Sequence, residues 1–282
     1  MAMSRKSKYA VGNLVVAALL LVGGIVMVAP LLWMLSTSLK TRESVFQLPP
    51  EWIPADPQWG NYLRVWEAGP IVSGILNSVT VSFTVTVVGT ITSTMAAFAF
   101  AKLRLPGKNA IFIGLLAAIM IPLPTLLIPQ FIMFSSWNWV DTLLPLIVPG
   151  LFGNVMMIFF LREYLRSTPD SIIEAAKIDG AGYWRIFGGI VVPLIRPAIA
   201  AQFILWFMAV WNDYIGPVIY LNSPEKQTLQ LVIANFNATY AIQTDYPLIM
   251  TASVIALVPI FAIFLSFQNQ IIESVALTGT KG

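Results

Sequence analysis

The sequence predicts an all-α integral membrane protein of six transmembrane helices with both termini in the cytoplasm, and three observations carry that prediction. First, 57% of the 282 residues are hydrophobic and only 10% are charged, against about 25% charged in an ordinary soluble domain. The mean hydropathy is +0.80. Second, the stretches 9–39, 68–101, 109–140, 142–161, 197–224 and 246–272 lack Asp, Glu, Lys and Arg, with Asp213 the one interruption. Each reaches the roughly 20 residues that a spanning helix needs. Third, the basic residues segregate. With the N-terminus inside, Arg5, Lys6, Lys8, Lys102, Arg104, Lys108, Arg162, Arg166, Lys177, Arg185, Arg196 and Lys281 all fall inside. Only Lys40, Arg42, Arg64 and Lys226 fall outside, the bias expected of cytoplasmic loops. An even number of spans requires both termini on one side, so the charge pattern and the span count agree.

Composition also excludes chemistry. The chain has no Cys and no His, which removes disulfides, Cys or His metal sites, thiol nucleophiles and histidine-based triads. No catalytic residue and no metal site is assigned. A net charge of +3 spread along an apolar chain makes no basic patch, so no nucleic-acid partner is expected.

Taken in order, the spans are placed at 12–36, 73–101, 109–133, 143–164, 198–220 and 247–270 of a single transmembrane domain covering 1–282. Ser4-Arg5-Lys6-Ser7-Lys8 followed by an apolar run resembles the start of a secretory signal. That run is too long for a signal core and ends in no small-residue cleavage site, so it reads as a retained first helix. The outer loop 37–70 carries Pro49, Pro50, Trp52, Pro54, Pro57, Trp59 and Trp66, a composition that resists regular structure and lies well along a membrane surface. This segment, and the polar stretch 221–245 with Asn222, Asn235 and Asn237, read either as solvated connectors or as docking surface for an external partner. Pro122, Pro124 and Pro129 predict a kinked third span without a ligand role. Met120, Met133, Met156 and Met157 read as core filler.

Between the fourth and fifth spans the segment 166–193 carries helix punctuation of its own. Thr168-Pro169-Asp170 offers a capping hydroxyl, a proline at the first helical position and an acid at the positive end of the dipole. Ser171 with Glu174 offers an alternative capping box. The helix is expected to run to about Ile178 and stop at Gly180, with Gly182 freeing the turn. A second helical stretch over 183–191 is expected to end before Pro193. Ala175 and Ala176 allow close approach of another surface, Glu174 and Asp179 offer charge partners, and Gly180 permits the sharp turn. On helix content alone an amphipathic helix lying in the membrane interface accounts for the same residues.

The loop reads Glu174-Ala175-Ala176, three residues, Gly180, nine residues, then Ile190-Val191-Val192-Pro193. This resembles the EAA loop of the permease subunits of ABC importers, departing only in Val192 where that pattern has Leu. The likeness extends along nearly the whole chain and narrows to the carbohydrate-importer branch of the maltose-transporter type. It is carried by Leu39-Lys40, Leu48-Pro49-Pro50-Glu51-Trp52-Ile53-Pro54 and Asn61-Tyr62, then by Asn77-Ser78. Ala99-Phe100-Ala101-Lys102-Leu103-Arg104-Leu105-Pro106-Gly107-Lys108, Ile178-Asp179-Gly180-Ala181 and Trp211-Asn212-Asp213 follow. The tail Ala276-Leu277-Thr278-Gly279-Thr280-Lys281-Gly282 is similar to a shortened Gly-Leu-Thr … Val-Lys-Gly ending.

The resemblance implies the type I permease fold of ABC importers, in the inner cell membrane of a bacterium or archaeon. It implies one permease of a binding-protein-dependent, ATP-driven sugar importer, not an enzyme by itself. The implied partners are a second homologous permease, a dimer of ATP-binding cassette subunits, an extracytoplasmic substrate-binding protein, the sugar and membrane lipid. Glu174, Ala175, Ala176, Asp179, Gly180, Ile190 and Pro193 would couple to the ATPase subunits. The chain has no cofactor of its own: ATP and Mg would be bound by those partners, and the sequence has no G-x-x-x-x-G-K-[ST] phosphate loop. Glycerol phosphate is an alternative cargo. An ion-coupled secondary transporter is the rival class, but it needs charges along several spans and commonly an internal repeat. Asp213 is the one acid within an apolar span. Either Asn212 and Asp213 line the substrate path beside the rings of Trp206 and Trp211, or Asp213 sits at the outer interface within an aromatic belt.

Overall fold

The computed structural model describes residues 5–239 and 244–279, with side chains described over 13–236 and 244–270. Thr280, Lys281 and Gly282 of the tail motif lie outside the described residues, as does the side chain of Asn237. The helices are α1 (Arg5–Ser38), α2 (Asn61–Glu67), α3 (Ile71–Lys102), α4 (Lys108–Ile119), α5 (Leu123–Ser136), α6 (Leu144–Leu151) and α7 (Val155–Arg166). They continue as α8 (Ser171–Ile178), α9 (Tyr183–Leu194), α10 (Arg196–Trp211), α11 (Ile215–Tyr220), α12 (Leu229–Thr239) and α13 (Tyr246–Gly279). Among the described residues, five segments are long and apolar enough to cross a membrane: Asn13–Ser38, Ile71–Lys102, Leu144–Arg166, Arg196–Tyr220 and Tyr246–Gln270. The pair α4 and α5 makes a sixth if counted as one span. In α1 the most apolar window has none of its residues buried within the chain. Backbone proximity divides the chain into two compact units, Met1–Gly69 with Ile233–Leu257, and Pro70–Val232 with Val258–Gly282.

In the larger unit α3 is the scaffold, with α6, α7 and α10 packed on it. Its sequence is rich in Val and Thr, residues that favour strands in water. In hydrocarbon the backbone must satisfy its own hydrogen bonds, and a helix does so within one segment. A buried stripe of small residues runs along it: Gly74, Ser78, Ser82, Thr86, Thr90, Ser93, Thr94 and Ala97. Such residues let neighbouring backbones approach closely. The hydroxyls of Thr86 and Thr94 donate to the carbonyls of Ser82 and Thr90 at 2.6 and 2.7 Å. A Cβ at Gly89 would overlap the Trp206 indole of α10 and would stand 2.5 Å from the Gly150 carbonyl of α6.

Three of the expected spans are interrupted. The kink expected in the third is a full break at residues 120–122, with α4 and α5 bent by 97°. The fourth breaks at 152–154, where Gly153 has φ +105. Polar groups of α3 cover that break: the Asn154 N–H donates to Ser93 Oγ at 2.8 Å, and Thr92 Oγ1 donates to the Leu151 carbonyl at 2.9 Å. Asn154 then caps α7 by accepting from the Met157 N–H at 3.0 Å. The fifth breaks at 212–214, between α10 and α11. Beyond it, Asp141 ties down the following turn, accepting from the N–H groups of Asn222 and Ser223 and from the Ser223 hydroxyl at 2.9, 2.8 and 2.6 Å. The Ser223 bonds, then the Asn222 bond, hold its carboxyl well below the usual carboxylate range.

The smaller unit is organised around Asp245, whose side chain is 1% exposed. Its Oδ2 accepts from Arg42 at 2.5 Å and from Arg64 at 2.8 Å, and its Oδ1 accepts from the Leu248 N–H at 3.2 Å. Burial pushes this carboxyl up, but the hydrogen bonds from Arg42, Leu248 and Arg64 outweigh it and hold the group below its ordinary value. Asn61 donates to the carbonyls of Ser38 and Lys40 at 2.9 and 3.1 Å. The Lys40 ammonium stands 4.2 Å from the centre of the Trp33 ring. Segment 37–70 is thereby anchored at several points by polar contacts within its unit.

Candidate functional site

Helix α8 begins at Ser171, with Asp170 as the flanking residue and no side-chain cap. The capping expected from Thr168-Pro169-Asp170 is replaced by a tie from outside the loop. Lys102 Nζ donates to the Thr168 carbonyl at 2.7 Å and to Asp170 Oδ1 at 2.5 Å, so the carboxylate that could have capped the helix faces an ammonium instead. The other end of α8 is a Schellman turn. The Ala181 N–H donates to the Ala176 carbonyl at 2.9 Å and the Gly180 N–H to the Lys177 carbonyl at 3.0 Å. Gly180 has φ +77, the left-handed conformation that glycine adopts without a Cβ clash.

The two faces of α8 differ. Ile173 and Ala176 are buried in a core with Ala97 and Phe98 of α3, Leu161 and Leu165 of α7, and Ile186 and Val191 of α9. Glu174 and Ala175 are exposed, as are Asp179 and Gly180. Ala176, expected as part of a contact with a partner, is buried in this core, about 100° round the helix from Ala175. Two bulky apolar residues of this loop that sequence reasoning did not single out are also exposed, Ile178 at 87% and Trp184 at 75%. The available pointer was a bulky apolar residue on each side of the Gly180–Gly182 turn.

Helix α9 does not stop before Pro193 as expected. It runs on to Leu194 through a π-helical turn at Phe187–Val191. Proline lacks an N–H and crowds the carbonyl one turn back, and a wider turn relieves that crowding within the helix. Ile190 is half-buried against the core and Pro193 is exposed.

Of the residues expected to line a path, the tryptophans and the polar pair part company. Trp211 is 1% exposed and stacks on Phe207, with ring centres 5.8 Å apart. Trp206 packs over Gly89. Both indoles are packing elements of the larger unit. Asn212 is exposed at the α10–α11 break, donating to the Met208 carbonyl at 2.9 Å and accepting from Gln230 Nε2 at 3.3 Å. Asp213 is half-buried beside it, its Oδ1 accepting from the Gly216 N–H at 3.3 Å. Among the described residues no group of His, Cys, Asp and Glu is placed to hold a metal ion.

The chain belongs to the family of binding-protein-dependent transport system inner membrane components, whose profile matches residues 89–276. It is 30% identical over 264 residues to the diacetylchitobiose uptake system permease protein NgcG of Streptomyces coelicolor, covering 92% of this chain and 86% of that one. It is 28% identical over 261 residues to the sn-glycerol-3-phosphate transport system permease protein UgpE of Yersinia pestis, covering 90% and 92%. The fold is that of a bacterial ABC transporter involved in importing the acidic polysaccharide alginate, with a TM-score of 0.80 at 21% identity over 96% of this chain and 99% of the other. The chain is therefore a multi-pass inner-membrane permease subunit, not an enzyme.

Proposed function

We propose that this chain forms half of the translocation path of an ATP-driven sugar importer and that α8 couples it to the ATPase subunits. The observation that carries the coupling is the outer surface of the loop. Glu174, Ala175 and Ile178 fall on one helical face at i, i+1 and i+4, and Trp184, in the first turn of α9 just past the Gly180–Gly182 turn, is also exposed. A small residue flanked by large exposed apolar ones and a carboxylate suits insertion into a groove of a partner protein. Two faces with opposite duties, one gripping this chain's core and one gripping the partner, make α8 a rigid link between them. ATP and Mg belong to the partner subunits in this reading, and a binding protein delivers the cargo from the far side of the membrane.

Sugar is the favoured cargo because NgcG is a diacetylchitobiose permease by name. Glycerol phosphate is the second reading, favoured by the likeness to UgpE. Purification of the chain with its genomic neighbours tests both points. The expected result is co-purification of a second permease and an ATP-binding subunit, with ATPase activity raised by the binding protein plus an oligosaccharide rather than glycerol 3-phosphate. Ile178→Asp, Glu174→Lys and Gly180→Pro should each insert normally yet lose the ATP-binding subunit or uncouple it. Full transport by all three would return the loop to an interfacial helix.

A further inference from the structure

Lys102 is the last residue of α3, and its side chain is 5% exposed. Its ammonium bonds two acceptors, the Thr168 carbonyl and the Asp170 carboxylate, which are the two groups that lead into α8. The other attachments of α8 are apolar packing through Ile173 and Ala176 and the Lys177 ammonium 5.1 Å from the centre of the Tyr183 ring in α9. Apolar contact is non-directional and on its own lets a helix slide or turn on its seat. A charge-assisted hydrogen bond is directional and short. The Lys102 hydrogen bond, followed by its charge, holds the Asp170 carboxyl below its ordinary value.

We propose that Lys102 is a positioning residue that fixes the start of α8 to the end of α3, so that displacement of α8 is passed to α3 instead of being absorbed in residues 167–170. The proposal rests on the coupling role given to α8 above. Helix α3 is the element on which α6, α7 and α10 pack, so a push delivered at Lys102 reaches the spans through one stiff rod. The geometry also accounts for the placement of Asp170 just before the helix. A lysine alone at a helix N-terminus meets the positive end of the dipole, and the intervening carboxylate converts repulsion into a tie.

The test uses the complete importer reconstituted in vesicles, with cargo taken up per ATP hydrolysed as the readout. Lys102→Met and Asp170→Asn should assemble and hydrolyse ATP, but move about fivefold less cargo per ATP, the scale of a partly screened charged hydrogen bond. Lys102→Arg should retain coupling, and exchanging the charges with Lys102→Asp plus Asp170→Lys should recover part of it. An unchanged ratio in Lys102→Met overturns the proposal. Should Lys102→Met fail to assemble, the cysteine-free sequence allows a second measurement. Lys102→Cys with Asp170→Cys, joined by a short bis-maleimide, should regain coupling that the unlinked pair lacks, and equal coupling in both states overturns the tie. Absence of the ATP-binding subunit from the wild-type complex would overturn the coupling role itself, a failure distinct from any seen in the variants.

Discussion

At the scale of the residue, Asp245 shows what a single buried carboxylate does in a chain with few charges. Its two arginine partners lie 203 and 181 residues away in sequence, so neither hydropathy nor spacing could link them. Removing the carboxylate leaves Arg42 and Arg64 without this shared partner. Asp245→Asn should destabilise the smaller unit by about 2 kcal/mol, below the usual toll of breaking a buried pair because both arginines are roughly half exposed and can turn to water. The sign of the pH dependence follows from the lowered carboxyl. Its stabilisation is complete above the unfolded value of about 3.9 and is lost as pH falls through the still lower folded value. Thermal unfolding of wild type should thus be level from neutrality to about pH 4 and fall below it, a fall that the Asn variant should show less. Sequence reasoning singled out Glu174, Ala175 and Gly180 through a motif, and all three are exposed. It missed Ile178 and Trp184 because exposure of an apolar residue is decided by which helix face the core claims.

At the scale of the element, span positions were legible because lipid demands apolar length, and length is countable. The breaks were not. The residues on both sides of 152–154 are apolar, so no charge marks the break, and only the pairing of Gly153 with Asn154, a helix stop beside a helix start, marked the place. The hydroxyls that accommodate that break sit on α3, some sixty positions away, where the sequence gives no sign of their destination. The end of α9 was misplaced for a related reason: a proline reads as a terminator unless the preceding turn widens. The close contact at Gly89 supplies a prediction at this scale. Gly89→Ala places a methyl group against the Trp206 indole and the Gly150 carbonyl, and should cost about 2 kcal/mol by overpacking. The check is a lower unfolding temperature in detergent, relieved by Trp206→Phe.

At the scale of the molecule, orientation is the property that charge counting predicts and helix geometry leaves open. The absence of cysteine makes it directly measurable. Ala55→Cys should react with a membrane-impermeant maleimide in intact cells, whereas Ser171→Cys and Lys108→Cys should react only after permeabilisation. Labelling in the reverse pattern would invert the chain and place α8 out of reach of any ATPase. The unburied apolar window of α1 bears on how such a chain is made. A segment that needs no contact with the rest of its own chain can leave the ribosome, enter the bilayer as an independent span and wait there. The positive-inside rule would orient such a span by the basic residues Arg5, Lys6 and Lys8 beside it. Biogenesis can therefore begin before any of the packing exists, with α1 as the fixed post from which the remaining helices are threaded.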